Sequence, residues 1–162
     1  MSSPNAFPPL HGKLASADAV ERLGAAIASE LNAGEALCLF GPLGAGKSTL
    51  ARGLIRALTR PDEEVPSPTF TLVQTYDTPR LAIAHFDLYR LKSPQEAFEI
   101  GLEEALETGA VIIEWPERLE GDLPRDRLDI ALSHHGEGRT AVLTGWGAWA
   151  ERAQDLEPHL ND

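Results

Sequence analysis

The chain has 162 residues, with 14 Lys plus Arg against 25 Asp plus Glu for a formal net charge of −11, and is 43% apolar and 24% charged. That balance fits one soluble globular unit with its own core and excludes a disordered or fibrous chain. It also excludes a freestanding nucleic-acid binder, because neutralising phosphates takes clustered cations and the 11 Arg and three Lys are scattered.

No DNA contact is therefore expected, and any RNA would be met through a partner. The single cysteine, Cys38, lies in the apolar run Leu37 to Phe40 and can form no intramolecular disulfide, which points to a reducing, cytoplasmic address. The opening MSSPNAFPPLHGKLA lacks the continuous apolar stretch of a signal peptide. No apolar run approaches the ~20 residues that span a bilayer, so no membrane association is expected.

Ser16 caps a predicted helix over Ala17 to Ala33, in which Val20, Leu23, Ile27 and Leu31 recur at spacings of three and four before Gly34. Glu35 to Phe40 is too short for a helix and reads as a strand buried on both faces. A second helix begins near Lys47 and carries Leu50, Leu54 and Leu58 on one stripe, until Pro61 stops it. Phe70 to Tyr76 and Leu81 to Asp87, separated by Asp77, Thr78 and Pro79, predict an antiparallel hairpin. Ser93, Pro94 and Glu96 form a helix entrance, with helical segments expected over Pro94 to Glu107. After Gly109, Ala110 to Ile113 is another buried strand, running into Glu114 and Trp115. Leu128 to Leu132 and Thr140 to Thr144 predict a second hairpin at the sheet edge. Together these elements predict an α/β fold, a sheet of mixed parallel and antiparallel strands flanked by helices, and the motif that follows makes it P-loop-like. Residues 1–162 are read as a single domain, with 1–12 and 147–162 as loose ends and a short helix in the tail.

The strongest signal is Gly41-Pro42-Leu43-Gly44-Ala45-Gly46-Lys47-Ser48, a complete G-x-x-x-x-G-K-S between a buried strand and an amphipathic helix. Glycines let successive N–H groups curl inward on phosphate oxygens, and the first helical turn adds unpaired donors and a positive dipole end. On this reading Gly41, Leu43, Gly44, Ala45 and Gly46 form the cradle, Lys47 reaches the β- and γ-phosphates, and Ser48 ligates Mg²⁺. The site also needs a carboxylate near the metal, at the C-terminal end of a neighbouring strand. Asp87 closes LAIAHFD and Glu114 closes AVIIE, so both are candidate metal and catalytic residues, with their roles undivided. His85 shares the face of Asp87 and reads as a hydrogen-bonded packing residue rather than a ligand, while His134 and His135 have no partners at zinc spacing. Thr69 lies where a switch segment monitors a γ-phosphate. Asn occurs only at 5, 32 and 161, never before Lys, so the guanine-reading Asn-Lys-x-Asp element is missing and ATP is favoured over GTP.

Taken together, GPLGAGKSTLARGLIRAL, SPTFTLVQTYD, HFDLYRL, the Glu99-x-Gly101 pair and IIEWPERL resemble the TsaE family, bacterial ATPases of tRNA threonylcarbamoyladenosine biosynthesis. The match is densest from Gly41 to Leu119, and Gly138-Arg139 also looks like the family's C-terminal strand region. The resemblance implies a subunit with weak intrinsic ATPase activity that supports turnover by TsaD and TsaB, which modify N6 of adenosine 37 in tRNA. It implies that Lys47 and Ser48 meet phosphate and Mg²⁺, that Thr49 lies beside the nucleotide, and that Asp87 belongs to the Mg²⁺ site. Glu114 and Trp115 become a functional pair, and Thr69 a switch-like position. Pro42 stands where many relatives carry Asp, and Ser48 where many carry Thr. Two other classes share the P-loop: a small-molecule kinase, which would need an Arg-rich acceptor site, and a non-hydrolytic switch, which would not require Glu114.

Overall fold

A computed structural model describes residues 7–161. Its seven strands form one sheet in the order β1-β7-β6-β2-β5-β4-β3. They are β1 (Leu10–Leu14), β2 (Ala36–Phe40), β3 (Val73–Asp77), β4 (Ala82–Asp87), β5 (Gly109–Glu114), β6 (Arg127–His135) and β7 (Gly138–Trp146). The inner strands β6, β2, β5 and β4 run parallel, while β7, β1 and β3 add antiparallel margins. Helices α1 (Ala17–Glu30) and α2 (Lys47–Leu58) cover one face, and α3 (Pro94–Glu99) and α4 (Leu102–Thr108) belong to the other. Burial from both sides is why β2 and β5 are near-continuous apolar runs: Leu37 and Leu39 face α1 and α2, Ala36 and Cys38 the opposite layer. Ser16 accepts the Ala19 N–H at 3.2 Å and caps α1. The two long helices pack backbone to backbone, since a Cβ at Gly53 would overlap the Glu21 carbonyl oxygen.

Several boundaries differ from expectation for visible reasons. The first hairpin pairs as predicted, but β3 starts at Val73, because Pro68 to Leu72 closes a turn through Leu72 N–H to the Pro68 carbonyl at 2.7 Å. Helix α3 breaks from α4 at Gly101, whose φ of +99° suits glycine alone. The β6–β7 hairpin is not the sheet edge, since β6 pairs with β2 and β7 with β1. Nor is the described part of either terminus loose. Leu10 to Leu14 pairs with β7 and buries Leu14, while α5 (Trp149–Arg152) and a 3₁₀ segment (Ala153–His159) bury Trp149 and Leu156 in the core. Residues 1–6 and 162, also read as loose, lie outside the described residues.

The tail is held by one buried carboxylate that local patterning does not announce. Glu35 accepts the Trp149 indole N–H at 3.0 Å, the Asn32 N–H at 2.9 Å and Arg152 Nη1 at 2.7 Å, and Arg152 also donates to the Glu30 carbonyl. Drawing the chain toward Arg152 here accompanies the end of α1 at Glu30 rather than Ala33. Removing one member of such a set strands the others, so Glu35→Ala is expected to destabilise the fold by about 3 kcal/mol. Glu35→Gln should lose less; urea unfolding midpoints compare the two.

A half-buried carboxylate, Asp129, accepts Arg127 Nε at 3.1 Å and the Trp146 indole at 2.9 Å. Burial raises its carboxyl above the ordinary range, against the lowering pull of Arg127. The native state therefore binds this proton more tightly than the unfolded chain does. The contribution of Asp129 to stability is full at acid pH and is lost as pH rises from the ordinary carboxylate range through the raised native value. Stability of Asp129→Asn relative to wild type should climb over that window in a pH series of urea unfolding curves.

Candidate functional site

Three parallel strands end together at one level of the sheet, with Leu39 opposite Glu114 and Glu114 opposite Asp87. The chain leaves β2 into Gly41 to Gly46, a loop that returns as the first turn of α2 at Lys47. Gly44 and Gly46 adopt φ of +78° and +107°, conformations that a Cβ would strain, and this lets the loop fold back over the strand ends. Such a crevice beyond the carboxyl ends of parallel strands is where open α/β sheets bind ligands.

A cleft of about 240 Å³ opens there, lined by Leu43, Gly44, Gly46, Lys47, Ser48, Thr49, Ser67, Thr69, Asp87, Glu114, Trp115 and Arg139. Of the predicted residues, Gly41 and Ala45 do not line it. The Gly41 carbonyl accepts Lys47 Nζ at 2.6 Å, and Ala45 is buried beneath the loop. Lys47 Nζ also stands 3.6 Å from the centre of the Trp115 ring, which packs at 4.9 Å against Tyr89. Trp115 reaches this position through a left-handed backbone with φ of +59° immediately after β5. Desolvation lowers the Lys47 ammonium below its usual value, while Glu114, Glu117 and Asp87 pull it back up.

The acids are fixed by specific partners. Asp87 accepts the Tyr89 N–H at 3.0 Å and the Thr69 hydroxyl at 3.3 Å, and Thr69 in turn bonds Ser67 at 2.7 Å. One oxygen of Glu114 is 3.5 Å from Ser48 Oγ, and the other lies 2.6 Å from His85 Nε2. His85 is a hydrogen-bonded packing residue, as expected, and the structure supplies its partner: it shares a buried hydrogen bond with Glu114, while its Nδ1 has none. Ser67 and Arg139 line the cleft without having been assigned to it. Ser67 was legible within the Ser-Pro-Thr segment, whereas Arg139 comes from a hairpin 95 residues beyond Gly44 and carried only its likeness to a family's C-terminal strand.

The donors fit a hard cation. Ser48, Asp87 and Glu114 offer oxygen ligands in one cleft beside a cation, and among the described residues no set of three His, Cys, Asp or Glu could cage a metal alone. Mg²⁺ suits such a site, because it takes one or two protein oxygens and completes its shell with substrate phosphates and water.

A glycine loop between a buried strand and a helix N-terminus, with lysine, serine and strand-end acids around one cleft, defines a P-loop nucleotide-binding protein. Comparison with known proteins narrows the class. The sequence profile described as "Threonylcarbamoyl adenosine biosynthesis protein TsaE" matches residues 14–141, and the chain belongs to the TsaE family. It is 43% identical over 107 residues to the tRNA threonylcarbamoyladenosine biosynthesis protein TsaE of Rickettsia bellii, covering 66% of this chain and 74% of that protein. The protein of the same name from Nostoc is 40% identical over 137 residues, covering 81% and 83%. The crystal structure of Bacillus subtilis YdiB superposes with a TM-score of 0.76 at 26% identity, covering 98% of this chain and 97% of that one.

Proposed function

We propose that this protein is a Mg²⁺-dependent ATPase of low intrinsic activity that supports repeated turnover by a TsaD–TsaB complex in tRNA threonylcarbamoyladenosine formation. The observation that carries the reading is the convergence of Lys47, Ser48, Asp87 and Glu114 on one cleft at the ends of β2, β4 and β5. Family membership supports the pathway, and the relatives' names state it. With a net charge of −11, the chain would meet tRNA through partner subunits rather than grip it. The cytoplasm, where tRNA is modified, is the proposed location. Among the described residues no helix is long and apolar enough to cross a membrane.

Each residue has a role suited to its chemistry. The loop amides of Leu43, Gly44, Gly46, Lys47 and Ser48 would bind the phosphate tail, the Ala45 N–H being held by the Pro42 carbonyl, and Thr49 would lie beside the nucleotide. Lys47 would exchange its contacts with Gly41 and Trp115 for phosphate oxygens, a favourable trade for an ammonium held in a partly desolvated pocket. Ser48 and Asp87 would hold Mg²⁺, which when bound neutralises charge developing on the phosphoryl oxygens. Glu114, anchored by His85, would orient and accept a proton from the attacking water. Thr69 on Asp87 would report whether the site is filled, and Trp115 would cover it.

Reconstituted tRNA modification over many cycles tests this reading, run with TsaD and TsaB, with and without this chain. Stimulation by wild type and none by Lys47→Ala is expected. Stimulation without nucleotide would make the protein a passive partner. Phosphate transfer to a nucleoside or sugar by the protein alone would make it a kinase.

A further inference from the structure

Arg139 is the cleft residue that the motifs leave unexplained. At the start of β7, its guanidinium donates from Nη2 to the Gly44 carbonyl at 2.9 Å and from Nε to the Ala45 carbonyl at 3.0 Å. Nη1 donates to the carbonyls of Gly138 at 2.7 Å and Glu137 at 3.4 Å, tying the same fork to its own hairpin. All four acceptors are main-chain oxygens, and two of them belong to the phosphate loop.

Peptide geometry gives these bonds a consequence inside the cleft. A planar trans peptide sends its C=O and N–H in opposite directions. Holding the Ala45 carbonyl toward Arg139 therefore turns the Gly46 N–H away from Arg139, on the peptide that leads into the cleft-lining residues Gly46 and Lys47. The preceding peptide is engaged at both ends, with the Gly44 carbonyl on Arg139 and the Ala45 N–H on the Pro42 carbonyl at 3.2 Å. Flanking these points, Gly44 and Gly46 hold left-handed backbone at φ of +78° and +107°, and the conformational freedom of glycine there would otherwise be lost only when an anion binds.

We propose that Arg139 is a positioning residue whose guanidinium fork sets the phosphate loop in its anion-binding form before nucleotide arrives. The proposal rests on the nucleotide-binding reading above. It requires a planar fork, since a lysine ammonium supplies the charge without bridging two carbonyls in fixed geometry.

Arg139→Met, Arg139→Lys and, as a control in the hairpin turn, His135→Ala are compared with wild type in the full-length protein. Three quantities are read: Mg·ADP affinity by calorimetry, the thermal midpoint without nucleotide, and amide hydrogen exchange at Gly46 without nucleotide. Arg139→Met should weaken Mg·ADP binding about tenfold or more and speed Gly46 exchange by a similar factor, as loss of charge-assisted bonds implies. Arg139→Lys should recover only a minor part of either change, and the thermal midpoint should stay within about 2 °C. His135→Ala should alter none of the three. Unchanged affinity and exchange in Arg139→Met, full rescue by lysine, or a midpoint that falls in step with affinity would each overturn the proposal. Should wild type itself take up no Mg·ADP, the nucleotide reading fails, and Gly46 exchange alone then decides whether the fork holds the loop.

Discussion

Lys47→Ala is expected to abolish measurable ATP hydrolysis, a fall of about 10³-fold or more, and to weaken nucleotide binding with it. Lys47 is the cleft cation with one hydrogen bond to exchange for phosphate, whereas Arg139 is engaged with several carbonyls. Its present contacts are a single 2.6 Å bond to Gly41 and the face of Trp115, both replaceable. Burial already disfavours the ammonium, so deleting it relieves a desolvation cost while losing those contacts. The folded state should therefore change by less than about 1 kcal/mol. Phosphate release, calorimetric titration with Mg·ATP and thermal unfolding separate the two effects. Hydrolysis that survives the substitution, in a protein that still binds ATP, would remove Lys47 from the proposed chemistry.

Glu114 should divide binding from turnover. Glu114→Ala is expected to keep Mg·ATP affinity within a few-fold of wild type while lowering the hydrolysis rate about 10²- to 10⁴-fold, the range of a lost general base. The carboxylate faces Ser48 at 3.5 Å rather than the glycine loop, so its removal leaves the loop amides untouched. It does leave His85 Nε2 without its 2.6 Å partner in a buried setting where Nδ1 is already unpaired. Glu114→Gln, which keeps a hydrogen-bonding partner for His85, is the control for that loss. Both variants should be slow, and Gln should be the more stable of the two. Equal hydrolysis in wild type and both variants would leave Asp87 as the sole candidate carboxylate.

Much of this site was legible because its chemistry is local in sequence. Gly41 to Ser48 is contiguous, and the apolar strand before it and the amphipathic helix after it are periodic patterns whose meaning does not depend on distant residues. Asp87 and Glu114 could be chosen because each ends a buried strand, although only the register of β4 on β5 sets them opposite one another. The pairings that cross many residues carried no such signal. His85 to Glu114, Arg139 to Gly44 and Glu35 to Arg152 are single contacts between side chains whose neighbours say nothing of the partner. The termini depart from expectation for the same reason: Leu10 to Leu14 is a strand only because β7 offers it an edge, and Trp149 is core only because Gly145 lets the tail approach.

By itself, then, the amino-acid order determined the phosphate loop, the helix behind it, the buried strands on either side and the two acids that end them. These follow from backbone freedom at glycine and from hydrophobic periodicity, which act over a few residues. Only the tertiary structure decided which strand lies beside which, that a histidine anchors Glu114, and that an arginine from the far hairpin grips the loop. Such choices depend on packing and hydrogen bonding between segments that meet only after the chain has collapsed, and no short window of sequence contains both partners.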